Sequence, residues 1–552
     1  MGRLKSLCDG GRLQEAVDML LNAPLDAKRV KHFNLLMKTA STLAKYSEMY
    51  NLFIEMKRRG FIPNAGTYQT MLGGYAQIED WSHRTKQIAQ VHNVFENYRS
   101  WVTALKAEDP KSLHLTVGPY NPYFKILGAT KQYEKIYDVY YDMDQDGPLS
   151  PDVKVLTGLF DALVETKREP GSTQEIRPQN ISFAKVVWRN MTKKMEASPE
   201  FKLDSHLIRA VLRLFRSGSA ADRIFALDVI CRDNLGLAKP GETAPPPKVE
   251  LTEYIVNQVI ALCNNSNKFR LSIHFAQQLM DRPLKDGESS ILTHYILEDV
   301  LYAYCNQETM GSMNEAERAL NILDWMIRQN ALQYNDNLAP RLITFSRVLE
   351  ISWRGGDWGV ATRTFDLMTG YKAADFADIP ADVKRSTPQM ERRSPGKNFL
   401  PTTIQMCHLV RTALNSGVVA NMRQALRIFV HFGGERFFLQ GALQNDTLPE
   451  VAQTRYLPFY AQTTAETVSG LVKAVLAAAD TEQVAGKQEI EQWRNLMTAA
   501  GQSLRQATVP TPLLRRPVVE QSRLGTSAQL DREDMVIDSL MSQRTQVSPR
   551  RK

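Results

Sequence analysis

Two asparagines occupy matching places in the chain, and their side chains are the clearest candidates for ligand recognition. Asn34 and Asn121 each follow an aromatic residue, and a second polar residue, Asn64 or Asp152, comes later in the same register. An amide side chain donates and accepts hydrogen bonds, so it can cap a helix or recognise a polar ligand. The repeated placement favours recognition over capping alone.

Motifs typical of enzymes are absent from the sequence. The nine histidines are scattered, and there is no H-E-x-x-H, no H-x-E followed by C-x-x-C, no Walker A motif and no G-x-S-x-G. The cysteines are odd in number and too far apart for metal-ligand spacing or a disulfide scaffold (Cys8, Cys231, Cys263, Cys305 and Cys407). We expect a protein of a reducing compartment that is not an enzyme and needs no cofactor, metal or small-molecule substrate.

The two asparagines belong to a register that occurs three times. Phe33, Tyr120 and Phe345 each have an aromatic residue 13 positions later, another 20 positions later and a methionine 23 positions later. The last two lie one helical turn apart and share a helix face. The longer spacing, with a polar stretch inside it, predicts two helices folded against each other. The chain is therefore predicted to be an all-α solenoid of repeated helical hairpins.

The clearest repeat is 35 residues long and runs from Val30 to Asn64. Apolar residues recur at helical spacing in both of its halves. Gly60 follows a basic last turn, and Pro63 prevents the helix from continuing. Tyr68 lies 35 residues after Phe33, so the next repeat begins immediately.

The rest of the chain can be divided into segments according to how well each matches this register. Strands receive little support, because no alternating apolar pattern is bounded by hairpin turns. Loops are predicted at 167–180, 236–248, 371–400 and 434–459. The predicted organisation is a partial repeat at 1–29, the best repeats at 30–204, degenerate hairpins at 205–370, a loop at 371–400, further hairpins at 401–501 and a basic, disordered tail at 502–552.

Composition limits the partners only loosely. The net charge of +8 is compatible with a polyanion, and no apolar run approaches the roughly 20 residues that cross a bilayer. Leu13 and Leu20 occupy the second and third slots of the register, which places the first aromatic before Met1. We expect the chain to begin inside a repeat, so the absence of a targeting leader says little.

Repeats that open with Phe/Tyr-Asn and close with Gly-x-x-Pro-Asn/Asp resemble the pentatricopeptide repeat family. The segments are KHFNLLM…FIEMKRRGFIPN, GPYNPYFKIL…VYYDMDQDGPLSPD and LITFSRVLE…RTFDLM. The likeness is good over 30–152 and fair over 153–204 and 341–370. The Trp-x-x-Leu-Gly-x-x-Tyr pattern of the tetratricopeptide family does not occur at any repeat start.

The resemblance implies a right-handed solenoid that binds single-stranded RNA at about one base per repeat. In this family the fifth and last residues of each repeat read the base. These pairs are Asn34 with Asn64, Asn121 with Asp152, and Thr157 with Asp204, while Gln69 and Ser346 are fifth residues without an assigned partner. By resemblance, the first two pairs favour pyrimidines and the third favours guanine.

The family also implies a cellular role. We expect the protein to act in mitochondria on the stability, processing or translation of transcripts. An alternative is a component or assembly factor of the small subunit of the mitochondrial ribosome, in contact with ribosomal RNA and proteins. A scaffold that binds only proteins is a second alternative, because the register fades after residue 205.

Overall fold

All regular secondary structure in the described part of the chain is helical. The computed structural model describes residues 2–24, 28–164, 176–198, 201–243, 245–282, 290–307, 314–333, 336–379, 387–393, 398–438 and 450–506. The chain divides into two compact units, Met1–Leu262 (unit 1) and Cys263–Lys552 (unit 2). These observations confirm the all-α class. Within the described residues, no helix is both long and apolar enough to cross a membrane.

Unit 1 consists of consecutive hairpins whose first helices, here called A helices, pack on one another in chain order: α3 on α5, α5 on α7, α7 on α9 and α9 on α11. This is the packing of an α-solenoid. The helices are α1 (Gly2–Asp9), α2 (Leu13–Asn22), α3 (Val30–Thr42), α4 (Tyr46–Arg58), α5 (Ala65–Tyr75), α6 (Thr85–Glu108), α7 (Tyr120–Ala129), α8 (Tyr133–Tyr141), α9 (Val153–Leu163), α10 (Ile176–Ala197), α11 (Ser205–Arg216), α12 (Ala220–Phe225) and α13 (Arg232–Leu235). A π-helical turn, Ala226–Cys231, joins the last two, and α14 (Glu253–Asn265) contains the unit boundary.

Unit 2 repeats this plan, with A helices α16, α18, α20 and α22 packed in chain order. Its helices are α15 (Phe269–Met280), α16 (His294–Asn306), α17 (Glu315–Gln333), α18 (Leu342–Gly355), α19 (Trp358–Thr369), α20 (Thr403–Asn415), α21 (Val419–His431), α22 (Glu450–Ala477), α23 (Thr481–Val484) and α24 (Lys487–Gln506). Short 3₁₀ turns lie at Asp336–Leu338, Ala373–Phe376 and Gly434–Phe438.

The register of aromatic residues has a structural explanation in the turn of the hairpin. The aromatic residue at the second slot is the first residue of the second helix in all three repeats, as Tyr46 is in α4. Two residues earlier the backbone is left-handed, at Ala44 (φ 56°), Lys131 (φ 58°) and Gly356 (φ 66°). The next residue then donates its N–H to a carbonyl five positions back, as Lys45 does to Ala40. This Schellman-type turn ends the A helix and starts the second helix.

Two loop boundaries and the start of the tail differ from the prediction. Residues 176–180 belong to α10, and α22 begins at Glu450, so the predicted loop at 434–459 is wrong over its last ten residues. Pro458 lies inside α22; the helix continues because its following turns bury Tyr460, Ala461 and Ala465. The loop at 236–248 is confirmed where described. The start of the predicted tail, 502–506, is helical, and 507–552 lie outside the described residues.

Candidate nucleic-acid interface

The first predicted pair of reading residues comes together in the structure. Asn34 is the fifth residue of α3, and Asn64 is the residue that caps α5. Both amide oxygens lie within hydrogen-bonding distance of the buried Thr67 hydroxyl, at 2.9 Å from Asn34 and 3.1 Å from Asn64. The backbone N–H of Thr67 also donates to Asn64 Oδ1 at 3.0 Å. Among the described residues neither Nδ2 group has a hydrogen-bond partner, so both amides keep donors for a ligand.

Gln69 and Asn121 each lie close to a glycine of the next repeat. Gln69 is exposed on α5, and its Oε1 lies 2.6 Å from where a Cβ on Gly118 would stand, just before α7. The helix of the next repeat starts late, so Asn121 is the second residue of α7. Its amide packs against Gly158 of α9, where an added Cβ would lie 2.1 Å from Oδ1. A side chain at residue 158 would therefore require the Asn121 amide to move.

The other predicted residues of unit 1 have local structural partners. Asp152 caps α9 by accepting from the N–H of Val155 at 2.7 Å, and Asp204 caps α11 by accepting from Leu207 at 2.7 Å. The Thr157 hydroxyl donates to the carbonyl of Val153 at 2.7 Å. In the described structure no hydrogen bond joins Asn121 to Asp152 or Thr157 to Asp204. The capping alternative therefore applies to the last residues of the repeats, not to Asn34 or Asn121.

Ser346 in unit 2 is bonded within the protein. Its hydroxyl donates to the Leu342 carbonyl at 2.9 Å and accepts from the side chain of Gln405, the third residue of α20. Glu298 holds the equivalent place in α16 and is buried. Its carboxylate accepts hydrogen bonds from the Thr344 hydroxyl at 2.9 Å, from Arg341 Nε at 3.3 Å and from Arg341 Nη2 at 2.6 Å. Sequence reasoning missed Glu298 because the register is unrecognisable in that hairpin.

Positive charge accumulates on the A helices of unit 1. Helices α3, α5, α7, α9 and α11 carry seven Lys/Arg and one Asp/Glu. Lys38 and Lys125 are exposed, each four positions after one of the two predicted reading asparagines and therefore on the same helix face. Among the described residues neither forms an ion pair. The sequence contains this signal as an Asn-x-x-x-Lys spacing, which sequence reasoning overlooked.

The arrangement defines a helical-repeat protein whose stacked A helices present polar and cationic side chains. The sequence model of the PPR repeat family matches residues 28–77, the segment that holds α3, α4 and α5. The predicted resemblance to the pentatricopeptide repeat family is therefore confirmed, and this segment carries it. No curated protein matches the chain in sequence.

Structural comparison finds pentatricopeptide repeat proteins as well. The crystal structure of the protein PPR10 from maize aligns with 98% of this chain and 72% of its own, at 13% identity and a TM-score of 0.33. The structure of PPR10 in complex with an 18-nt psaJ RNA element aligns with 97% of this chain and 79% of its own, at 13% identity and a TM-score of 0.25.

Proposed function

We propose that this chain binds single-stranded RNA along the A helices of unit 1. The observation that carries the proposal is the convergence of Asn34 and Asn64 on Thr67, with amide donors left over. The Thr67 hydroxyl holds the Asn34 oxygen and the Thr67 backbone N–H holds the Asn64 oxygen, so both amides are oriented without consuming their own N–H groups. Such donors match acceptors on base edges, in agreement with the pyrimidine preference expected of this pair.

The cations supply the sequence-independent part of binding. Lys38 and Lys125 lie one turn beyond Asn34 and Asn121, so a base held by the asparagine would bring a phosphate near the lysine. Arg209 and Arg213 share the single carboxylate of Asp161, at 3.7 and 3.8 Å, which leaves net positive charge on α11. RNA bound in this way would lose affinity steeply as salt rises.

The cellular role belongs to the same proposal. The protein acts in mitochondrial gene expression after transcription, on the stability, processing or translation of transcripts. The compartment follows from the family resemblance and is tested by fractionation of cells that express the full-length protein. Crosslinking followed by sequencing of bound RNA separates the two cellular roles. Bound messenger RNA would support a factor that acts on transcripts, and bound ribosomal RNA would support a role at the small ribosomal subunit.

A protein-binding scaffold is the second candidate, and one observation favours it for unit 2. The A helices α16, α18, α20 and α22 carry five Lys/Arg and five Asp/Glu, so they lack the charge excess of unit 1. Their fifth residues include the internally bonded Glu298 and Ser346. Such a surface is less suited to a polyanion than that of unit 1.

The direct test is RNA affinity of the full chain and of matched variants. Asn34→Ala with Asn64→Ser removes both amides but keeps a capping hydroxyl at residue 64. Asn51→Ala, on the exposed face of α4, is the control. We expect the double variant to bind a randomised single-stranded RNA pool more weakly and with altered base preference, while the control binds normally. Equal affinity and preference in all three proteins would refute the proposal.

A further inference from the structure

Unit 2 contains a cluster of charged residues with an excess of positive charge, the arginine cluster: Arg347, Glu350, Arg354, His408 and Arg411. Glu350 is buried and is the only carboxylate of the five. Its two oxygens lie 2.7 Å from Arg354 Nη2 and 3.5 Å from Arg347 Nη1. One carboxylate therefore serves two arginines before Arg411 is counted.

Arg411 stacks on an aromatic ring. Its guanidinium carbon lies 3.3 Å from the centre of the Trp353 ring. The centre of the His408 imidazole lies 6.2 Å from that of the Trp353 ring and 5.8 Å from that of the Tyr460 ring. Among the described residues Arg411 forms no ion pair. Stacking holds the planar cation in place without neutralising its charge.

The charges do not balance within the cluster. Burial lowers the pKa of His408 to about 3, so the imidazole is neutral at physiological pH and three arginines face one glutamate. Burial also lowers the pKa of Arg411, and the opposing influences of Cys407, Tyr460 and Glu350 do not offset it. Arg347 Nε, Arg411 Nη1 and His408 Nδ1 are buried without a hydrogen-bond partner among the described residues. The two guanidinium N–H groups are donors whichever tautomer His408 adopts, and unpaired buried donors are costly, so they point to a missing acceptor.

We propose that the arginine cluster binds an oxyanion, specifically a phosphate group. A tetrahedral phosphate offers several acceptors to converging guanidinium donors, and its charge would offset the excess of two positive charges. Trp353 and Arg411 are half-buried, so the edge of the cluster can be reached from solvent. The phosphate is either inorganic or part of an RNA backbone. The site does not depend on the RNA-reading function of unit 1.

Thermal unfolding of the full chain tests the site with inorganic phosphate as the probe. At matched ionic strength, we expect phosphate to raise the Tm above that in chloride by about 2 °C or more, because a bound ligand stabilises the folded state. Arg411→Met should remove this increment, whereas the exposed control Arg494→Met should keep it. Without phosphate, Arg411→Met should melt at or above the wild-type Tm, since it removes an uncompensated charge.

Two results would overturn the proposal. One is an equal Tm in phosphate and chloride. The other is a phosphate-dependent rise in Tm that is equally large in Arg411→Met and in the wild type, which would show that phosphate stabilises the chain without binding at the arginine cluster. The source of the phosphate follows from RNA binding at constant ionic strength. Competition by phosphate together with weaker RNA binding by Arg411→Met identifies an RNA phosphate, while unchanged RNA binding beside a phosphate-dependent Tm identifies a small anion. The Tm measurement is informative even if the chain binds no RNA.

Discussion

The junction between α3 and α5 in unit 1 and the junction between α16 and α18 in unit 2 share one geometry but differ in charge. In each, the fifth residue of one A helix, Asn34 or Glu298, is bonded to a threonine at the third position of the next. The residue before that next helix is Asn64 in unit 1 and Arg341 in unit 2. The two amides keep N–H donors for a ligand, whereas the Glu298 carboxylate is already hydrogen-bonded to Arg341 and Thr344. The same junction can therefore be open to a ligand or closed by an internal ion pair.

The charge of the A helices follows the same division. Unit 1 has seven basic residues against one acidic residue on five A helices, and unit 2 has five against five on four. A phosphate chain is attracted by the first distribution and not by the second. Recognition of RNA is thus expected to depend on unit 1, with the arginine cluster as a separate feature of unit 2.

Substitutions at the two junctions should give the largest difference in stability between the units. Glu298→Ala leaves Arg341 and Thr344 without their acceptor, and we expect a loss of about 2–4 kcal/mol in the free energy of unfolding, less than for a fully buried pair because Arg341 is partly exposed. Asn34→Ala removes a half-buried amide, so its cost should be about 1 kcal/mol or less. Denaturant unfolding of the full chain measures both. Similar losses in the two variants would contradict the contrast between a closed and an open junction.

Sequence predicted the hairpins because their apolar positions repeat at helical spacing, as the burial of Phe33, Phe53 and Met56 shows. It predicted that Asn34 and Asn64 form a pair through the family resemblance alone. The role of Thr67 depends on how two A helices pack, which local patterns do not encode. The first turns of α22 were missed because Pro458 and the neighbouring polar residues are typical of a loop.

The lysines of unit 1 provide the next largest effect. Lys38→Gln with Lys125→Gln should lower RNA affinity and reduce the slope of log affinity against log salt by about 1.4, the value for two phosphate contacts on a single strand. The control is Lys86→Gln with Lys135→Gln, which removes equal charge from exposed positions on the second helices α6 and α8. If both double variants show the same slope, net charge rather than the A-helix surface drives binding.

Asp152 separates capping from reading within unit 1. Asp152→Ala loses the cap of α9, and we expect a cost of about 1 kcal/mol in stability, whereas Asp152→Ser keeps a capping hydroxyl and costs little. If Asp152 also reads a base, both variants should change base preference in RNA binding. The counterpart in unit 2 is Thr402, the cap of α20, whose replacement by alanine should affect stability alone. A normal base preference in Asp152→Ser would restrict Asp152 to capping.

One hairpin turn from each unit provides the comparison with the smallest expected change in the free energy of unfolding. Left-handed backbone is occupied by Ala44 in unit 1 and by Asn267 (φ 54°) in unit 2. Alanine is strained there, while asparagine tolerates this region. Ala44→Gly should therefore raise the free energy of unfolding by about 0.5–1 kcal/mol, and Asn267→Gly should change it little.

The matched control for Ala44→Gly is expected to change the free energy of unfolding in the opposite direction. Ala104 lies exposed within α6, where glycine should cost about 0.5–1 kcal/mol because it weakens the helix. Denaturant unfolding of the three variants compares the same loss of a methyl group in two backbone conformations. Destabilisation by Ala44→Gly equal to that by Ala104→Gly would mean that the turn of the first hairpin is not strained. Stabilisation by Ala44→Gly would show that the first hairpin forms its turn although alanine is strained there.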